Sequence, residues 1–291
     1  EELSTGWLVD SMVLEDFRDQ AVGSRLLIAA HDDQPFSLSL GQTPHVREIL
    51  FRLGWSQVAA LQVAQFLARP ANVFRGKLPA PAAWVAGAGF GTSMAVRNLL
   101  SGRPQLDVRT IERFGETHDR LWTSVRRDLT CAVVRDAPYL NWKYVAQPVQ
   151  DFLRLDLFDK DGLRAIAVWM FREPDASYRY RRAFLVDLVA PFSDQGLLQQ
   201  VIRAACTAAA DAGADALLCH HIGRRLTDAL RACGFHLRQP ERFLLIDPGS
   251  LTGAALERAV SPTNWYVTQG DADIDRPWFS VVAGRAFSAT L

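Results

Sequence analysis

The chain has 291 residues, 49% of them hydrophobic, and its 32 Lys and Arg are balanced by 32 Asp and Glu. That is enough apolar material for two packed domains or one large one, and the balanced charge gives no electrostatic case for nucleic acid or an anionic membrane surface as a partner. No apolar run approaches the ~20 residues that a spanning helix needs, and no signal-peptide pattern opens the chain. The 4 cysteines (Cys131, Cys206, Cys219, Cys233) lie in apolar segments without a framework spacing, which predicts reduced thiols and a cytoplasmic setting.

The first predicted element is a strand, "WLVDSMVL" at 7–14. The chain leaves it through "EDFRDQAVGS" and enters a helix whose first turn is nearly bare of side chains. Such a turn exposes the first N–H groups of the helix at the positive end of its dipole, which makes an anion site suited to phosphate. Gly23 lets a ligand approach the backbone, and Arg18 adds a positive charge at the mouth; the alternative is an ordinary turn with a solvated Arg18. A second strand follows in "QPFSLSLGQT" (34–43), alternating over Phe36, Leu38 and Leu40. "PHVREILFRLGW" (44–55) predicts a helix opened by Pro44 and closed at Gly54 as C-cap. "VAALQVAQFLAR" (58–69) reads as one further strand, with some helical ambiguity.

That order, strand, anion-binding helix, strand, helix ending in Gly-aromatic, strand, resembles the second half of the GNAT acyltransferase fold of the acetyl-CoA-dependent N-acetyltransferases. Their signature, Arg/Gln-x-x-Gly-x-Gly/Ala, stands here as Arg18-x-x-Ala21-x-Gly23, with Ala replacing the first Gly. The resemblance implies that the N–H groups of Gln20, Ala21, Val22, Gly23 and Ser24 hold the pyrophosphate of coenzyme A. It also implies that the backbone around Met12 and Val13 pairs with the pantetheine arm and polarises the thioester carbonyl.

The same pattern recurs about 180 residues later, an internal repeat. "WLVDSMVLEDF" (7–17) has a counterpart in "FLVDLVAPFSD" (184–194), placing Asp187 opposite Asp10, and "EILFRLGW" (48–55) one in "DALRACGF" (228–235). The second copy also has the preceding elements: a helix over 110–129, "YLNWKYV", and strands "DFLRLDLFD" and "LRAIAVWMFR" around the turn at Asp161 and Gly162. Its helix from Asp194 carries Leu197, Leu198, Val201, Ile202 and Ala205 on one stripe. Its phosphate turn, "SDQGLLQ", has no Arg and keeps only Gly196; Ser193 or Asp194 reads as a plain N-cap. The expected architecture is α/β: two GNAT-like domains of mixed, mostly antiparallel sheets flanked by helices, the N-terminal copy incomplete. The divisions are 1–76 (half domain with the acetyl-CoA cradle), 77–105 (linker), 106–247 (second domain) and 248–291 (tail). In the linker, "VAGAGFG" spaces Gly87, Gly89 and Gly91 against the dinucleotide pattern G-x-G-x-x-G, and no strand–helix unit frames it.

Acyl transfer to an amine needs a deprotonated nucleophile, a polarised carbonyl and an acid for the leaving thiolate. In the resembling family that acid is often a Tyr in the helix before Gly-aromatic; here the position is Phe51. Asp10 is the candidate base or amine-binding group, unless it and Asp187 share a structural role. His45 reads as a solvated helix start. His220 and His221 are adjacent on a strand and point to opposite faces, against a shared zinc ion. "DADID" (271–275) lacks the Gly and Glu of a calcium loop and reads as a polar turn, so no metal is expected. Tyr178 and Tyr180 read as substrate contacts or a solvated edge strand. The resemblance thus implies a bacterial tandem-domain transferase moving acetyl from acetyl-CoA to a small-molecule or peptide amine, with a homodimer compatible. A non-catalytic acyl-CoA-binding or assembly protein and a FemAB-type aminoacyl transferase are the alternatives. A further expectation concerns the strand at 7–14, which would be central in that fold: either the chain belongs to a longer protein that covers its free edge, or the strand-like tail segments 264–269 and 278–284 do so.

Overall fold

The computed structural model describes residues 2–9, 13–33, 35–75, 106–148 and 151–272. The segment 76–105 and residues 273–291 lie outside this description, and with them the predicted linker with "VAGAGFG" and the predicted strand-like 278–284.

The first copy runs β1 (Gly6–Leu8), a 3-10 turn (Glu15–Gln20), α1 (Val22–Asp33), β2 (Ser37–Leu40), α2 (Pro44–Arg52), β3 (Ser56–Ala60), β4 (Gln62–Leu67) and α3 (Pro70–Arg75). Helix α2 starts where its sequence says it should. Thr43 caps it by accepting a hydrogen bond from Val46 N at 3.3 Å, and Pro44 supplies a preset φ at the first position. At the other end the cap is Leu53, one place before the predicted Gly54, which follows in the left-handed region with φ of 91°.

The second copy runs β5 (Asp107–Thr110), α4 (Glu116–Val125), β6 (Cys131–Ala132), α5 (Ala137–Tyr144), β7 (Phe152–Asp159), β8 (Gly162–Arg172), β9 (Arg182–Val189), α6 (Gln195–Asp211), β10 (Ala216–Ile222), α7 (Arg224–Ala232), β11 (His236–Arg238) and β12 (Phe243–Asp247). Then come α8 (Gly253–Val260) and β13 (Trp265–Thr268). The helix read from 110 begins only at Glu116, because Asp107–Thr110 is drawn into the sheet edge beside β7. Tyr178 and Tyr180 lie in the loop before β9, not on an edge strand, their rings edge to face at 5.8 Å.

The two copies exchange their last strands. One sheet has the order β1-β2-β12-β3, the other β11-β4-β10-β9-β8-β7-β5. Strand β12, from the second copy, lies antiparallel between β2 and β3 of the first. Strand β4, from the first copy, lies antiparallel between β10 and β11 of the second. The reading of 58–69 as one strand is therefore corrected: the chain breaks at Leu61 and changes sheet. The divisions at 1–76 and 106–247 are likewise crossed by a strand in each direction. Burial holds the exchange in place. Leu244, Leu245 and Ile246 of β12 are each 0% exposed, and Ala64 of β4 is equally closed. Fully burying three such large side chains contributes about 1.5–3 kcal/mol each.

Strand β9 fixes the geometry of the second copy. It runs parallel to β10 from Arg182 opposite Ala216 to Leu185 opposite Cys219. On its other side Val168 faces Asp187 while Trp169 faces Leu185, which leaves Val186 as an extra, bulged residue. A bulge adds local twist, and past it β9 and β10 part. In the first copy β1 runs parallel to β2 from Gly6 opposite Ser37 to Leu8 opposite Ser39, and residues 10–12 lie outside the description.

Candidate functional site

In the second copy two parallel strands thus diverge at their carboxyl ends, the place where ligands settle in open α/β sheets, and in the first copy the corresponding place lies past Leu8 of β1. The two slots differ in what fills them and in what stands at the helix start above.

In the second copy the slot is occupied by the chain itself. Strand β13 enters it and pairs antiparallel with β10, His221 opposite Thr268 and Ile222 opposite Val267. It also reaches the opposite wall, where Tyr266 Oη donates to Leu188 O at 2.5 Å. Gly270 fits so closely that a Cβ there would lie 2.0 Å from Tyr144 Oη and 2.8 Å from Val186 O. Beneath it sits a buried ionic network. Arg135, 0% exposed, donates through Nε to Asp187 at 2.7 Å and through Nη2 to Asp271 at 2.6 Å, and its guanidinium lies 4.8 Å from the Tyr266 ring centre. Tyr144 Oη donates to the other Asp187 oxygen at 2.9 Å. Burial opposes the Arg135 charge, but Asp187 and Asp271 together outweigh it and hold the guanidinium above its ordinary value. Burial pushes the Asp271 carboxyl up, with Arg135 opposing.

Two sequence expectations change here. Asp271 belongs to a buried ion pair rather than a polar turn; residues 273–275 of that motif lie outside the description. The strand at 265–268 covers β10 and β6, not β1. Among the described residues β1 pairs only with β2.

The helix start of the second copy is also taken. Asp194 is the N-cap of α6 and accepts from Leu197 N at 2.9 Å. Ser193 is turned away, its N and Oγ both donating to Asp128, at 3.0 and 2.7 Å. A carboxylate on the first N–H groups leaves no room, in charge or in donors, for a phosphate.

Among the described residues of the first copy nothing equivalent stands in the way. The 3-10 turn ends at Ala21, the only described non-glycine residue with positive φ (54°), and α1 starts directly from it. The first intrahelical bond is from Arg25 N to Ala21 O at 3.1 Å, so the N–H groups of Val22, Gly23 and Ser24 point out of the helix end. No acidic residue lies in the first turn of α1. Gly23 is where the helix meets Val13: an added Cβ would lie 3.1 Å from Val13 Cγ2. The Gln20 side chain folds back, its Nε2 donating to Asp16 O at 3.3 Å. Leu27 anchors α1 in a small core with Leu50, Trp55 and Leu245. Asp10 and Met12 lie outside the described residues. On α2, Phe51 is 43% exposed and carries no proton to give, and His45 is exposed at the helix start.

The remaining candidates are structural. His221 is 0% exposed and bonds Thr227 Oγ1 through Nε2 at 2.9 Å, while His220 packs edge-on to Phe184 at 5.7 Å. Burial holds both rings neutral, with pKa values lowered to about 4. Among the described residues no group of His, Cys, Asp and Glu gathers as a metal site.

No family model matches the sequence, and no curated protein matches it. Solved structures do. A GCN5-related N-acetyltransferase from Kribbella flavida aligns with a TM-score of 0.52 at 12% identity, over 89% of this chain and 56% of that one. Another from Anabaena variabilis aligns at 0.50 and 11% identity, over 79% of this chain and 51% of its own. The chain has the GNAT fold. It spans about half the length of these two structures. Within that fold the parallel strand pair and the helix start above it occur twice, and among the described residues only the second pair is filled by the chain itself. Sequence reasoning located both helix starts but missed Arg135, Tyr144 and the inserted strand. A buried Arg flanked by two distant Asp leaves no periodic signal.

Proposed function

We propose that the protein is an acyl-CoA-dependent N-acyltransferase that holds acetyl-CoA in the first copy and transfers the acetyl group to an amine on a small molecule or peptide. The observation that carries this reading is the asymmetry between the slots. The first has uncapped N–H groups at Val22, Gly23 and Ser24, whereas the second has the Asp194 cap and the inserted β13. The residues present fit the coenzyme: three free donors at the positive end of a helix with no acid in its first turn suit a pyrophosphate. When bound, the coenzyme supplies the activated acyl group. The chain supplies Val22–Ser24 to bind phosphate, Val13 and Met12 to flank the arm, and Asp10 to meet the acceptor amine. In the second copy the carboxylate at Asp187 is committed to Arg135 and Tyr144, and that copy serves as scaffold. The free thiols fit a cytoplasmic protein, and among the described residues no helix is long and apolar enough to cross a membrane.

A second reading, a coenzyme-binding protein without turnover, is favoured by Phe51, since a phenyl ring cannot protonate a leaving thiolate. A thiol-release assay with acetyl-CoA and a panel of amines separates the two. Amine-dependent release, depressed about 100-fold or more by Asp10→Asn, supports transfer. Binding with no release from any amine favours the second reading.

A further inference from the structure

Four strands of the second sheet bring polar and aromatic side chains to one face. Arg182 and Phe184 of β9 stand opposite Ala216 and Leu218 of β10. Leu218 and His220 stand opposite Gln65 and Val63 of β4, and Val63 opposite Arg238 of β11. Paired residues share a face and neighbouring strands sit about 4.8 Å apart, so His220 and Arg238 flank the short Val63 at about 10 Å. Arg242 lies beside them, its O accepting from Leu61 N at 2.9 Å, two residues before Val63.

Two polar atoms of this face lack partners. His220 packs edge-on to Phe184, yet its Nδ1 is buried with no hydrogen-bond partner, and so is Arg182 Nε. The Arg182 guanidinium lies 3.9 Å from the Tyr178 ring centre and 6.0 Å from that of Phe184. Tyr178 is 37% exposed and the Arg182 side chain 12%, so the row Tyr178, Arg182, Phe184, His220 descends from solvent to a buried nitrogen. A buried donor without an acceptor is costly, and an oxygen brought by a ligand removes that cost.

The charge of the face is one-sided. Asp175 answers Arg182 Nη2 at 2.5 Å. The charged groups that act on the His220 ring, Arg242 and Arg238, are both cations. Burial and Tyr178 push the Tyr180 hydroxyl up while Arg182 and Arg238 draw it down, which brings both guanidiniums around that hydroxyl as well.

We propose that this face binds a small aromatic anion, its oxyanion set among the guanidiniums of Arg182, Arg238 and Arg242 and its ring on the floor formed by Val63 and Leu218. Hydrogen bonds between guanidinium and oxyanion are charge-assisted and strong, and rings already stacked with Arg182 favour a planar guest. The site belongs to the second copy and stands whether or not the first copy holds a coenzyme.

The test titrates the full chain by calorimetry with benzoate, phenyl phosphate and benzamide, the last an uncharged match for benzoate. Wild type should bind benzoate or phenyl phosphate saturably, one per chain, and benzamide about tenfold more weakly or worse. The tighter of the two anions assigns carboxylate or phosphate as the group recognised. Arg238→Gln removes an exposed guanidinium, so it should melt with wild type and lose about tenfold in affinity for that anion. Arg127→Gln, an equal loss of charge in the turn after α4, should leave the affinity within twofold. Failure of both anions to saturate overturns the proposal, as does benzamide binding as tightly as benzoate. So does an Arg238→Gln affinity within twofold of wild type, or an equal loss from Arg127→Gln, which would reduce the effect to general charge attraction.

Discussion

Substituting Gly270 by Ala probes the closure of the second slot directly. The added Cβ would stand 2.0 Å from Tyr144 Oη and 2.8 Å from Val186 O, so the ring or the inserted strand must move. Overpacking of this kind costs about 1–3 kcal/mol. Displacing Tyr144 also breaks its 2.9 Å bond to Asp187, a buried carboxylate, which adds about 1.5–3 kcal/mol. A loss of about 3–5 kcal/mol follows, and in a chain of this size it lowers the melting temperature by roughly 6–15 °C. The assay is denaturant unfolding of Gly270→Ala, Tyr144→Phe and the double variant. Because the Tyr144 hydroxyl is the atom the new methyl meets first, the double variant should be more stable than the sum of the singles implies, by about 1 kcal/mol or more. Strict additivity, or no loss for Gly270→Ala, would refute the placement of Gly270 against Tyr144 and with it the closed slot.

Ala21→Gly should stabilise the protein by about 0.5–1 kcal/mol, since Ala at φ of 54° carries a strain that glycine does not; a lower denaturant midpoint would contradict it. Asp194→Ala should cost about 1 kcal/mol by uncapping α6 and leave coenzyme affinity unchanged; an affinity change would assign a ligand to the wrong copy. His221 has a folded pKa depressed from 6.5 to about 4, so the unfolded chain takes up its proton first as pH falls. Stability should therefore drop by about 3 kcal/mol from this group between pH 6.5 and 4, a drop that His221→Gln should lessen. His118 acts in the opposite sense. Burial lowers its pKa but Asp156, 3.1 Å away, raises it overall, so its contribution is present below the unfolded value and fades as pH rises through the folded one. An acid limb unaltered by His221→Gln would show that the ring is protonated in the fold.

Much of this was legible from spacing. The alternation over Phe36, Leu38 and Leu40 runs into β2, all three side chains buried, and Pro44 and Gly54 mark the ends of α2 because capping and turn chemistry are local. Ser193 or Asp194 reads as a cap for the same reason, and Asp194 is the one that caps. The repeat at about 180 residues was visible too. It gave the equivalence of β2 with β10 but not the exchange of β4 and β12. A strand's sequence records that it is buried, as Leu244, Leu245 and Ile246 are, and says nothing about which sheet buries it. The Asp271 error has a like cause. Acidic side chains in a polar run are solvated by default, and only the distant Arg135 reverses that. Tyr178 reads as a substrate contact or part of an edge strand, and it lies in the loop before β9 with the Arg182 guanidinium 3.9 Å from its ring centre.

The central claim is that one slot of two receives the coenzyme. Calorimetric titration of the full chain with acetyl-CoA measures it, alongside Gly23→Asp and the matching Gly196→Asp. The account predicts one site per chain, abolished by Gly23→Asp, where a carboxylate would crowd Val13 and face the phosphate donors, and unchanged by Gly196→Asp, where the Asp194 cap already excludes phosphate. Two sites per chain, or one that survives Gly23→Asp and falls with Gly196→Asp, would contradict it.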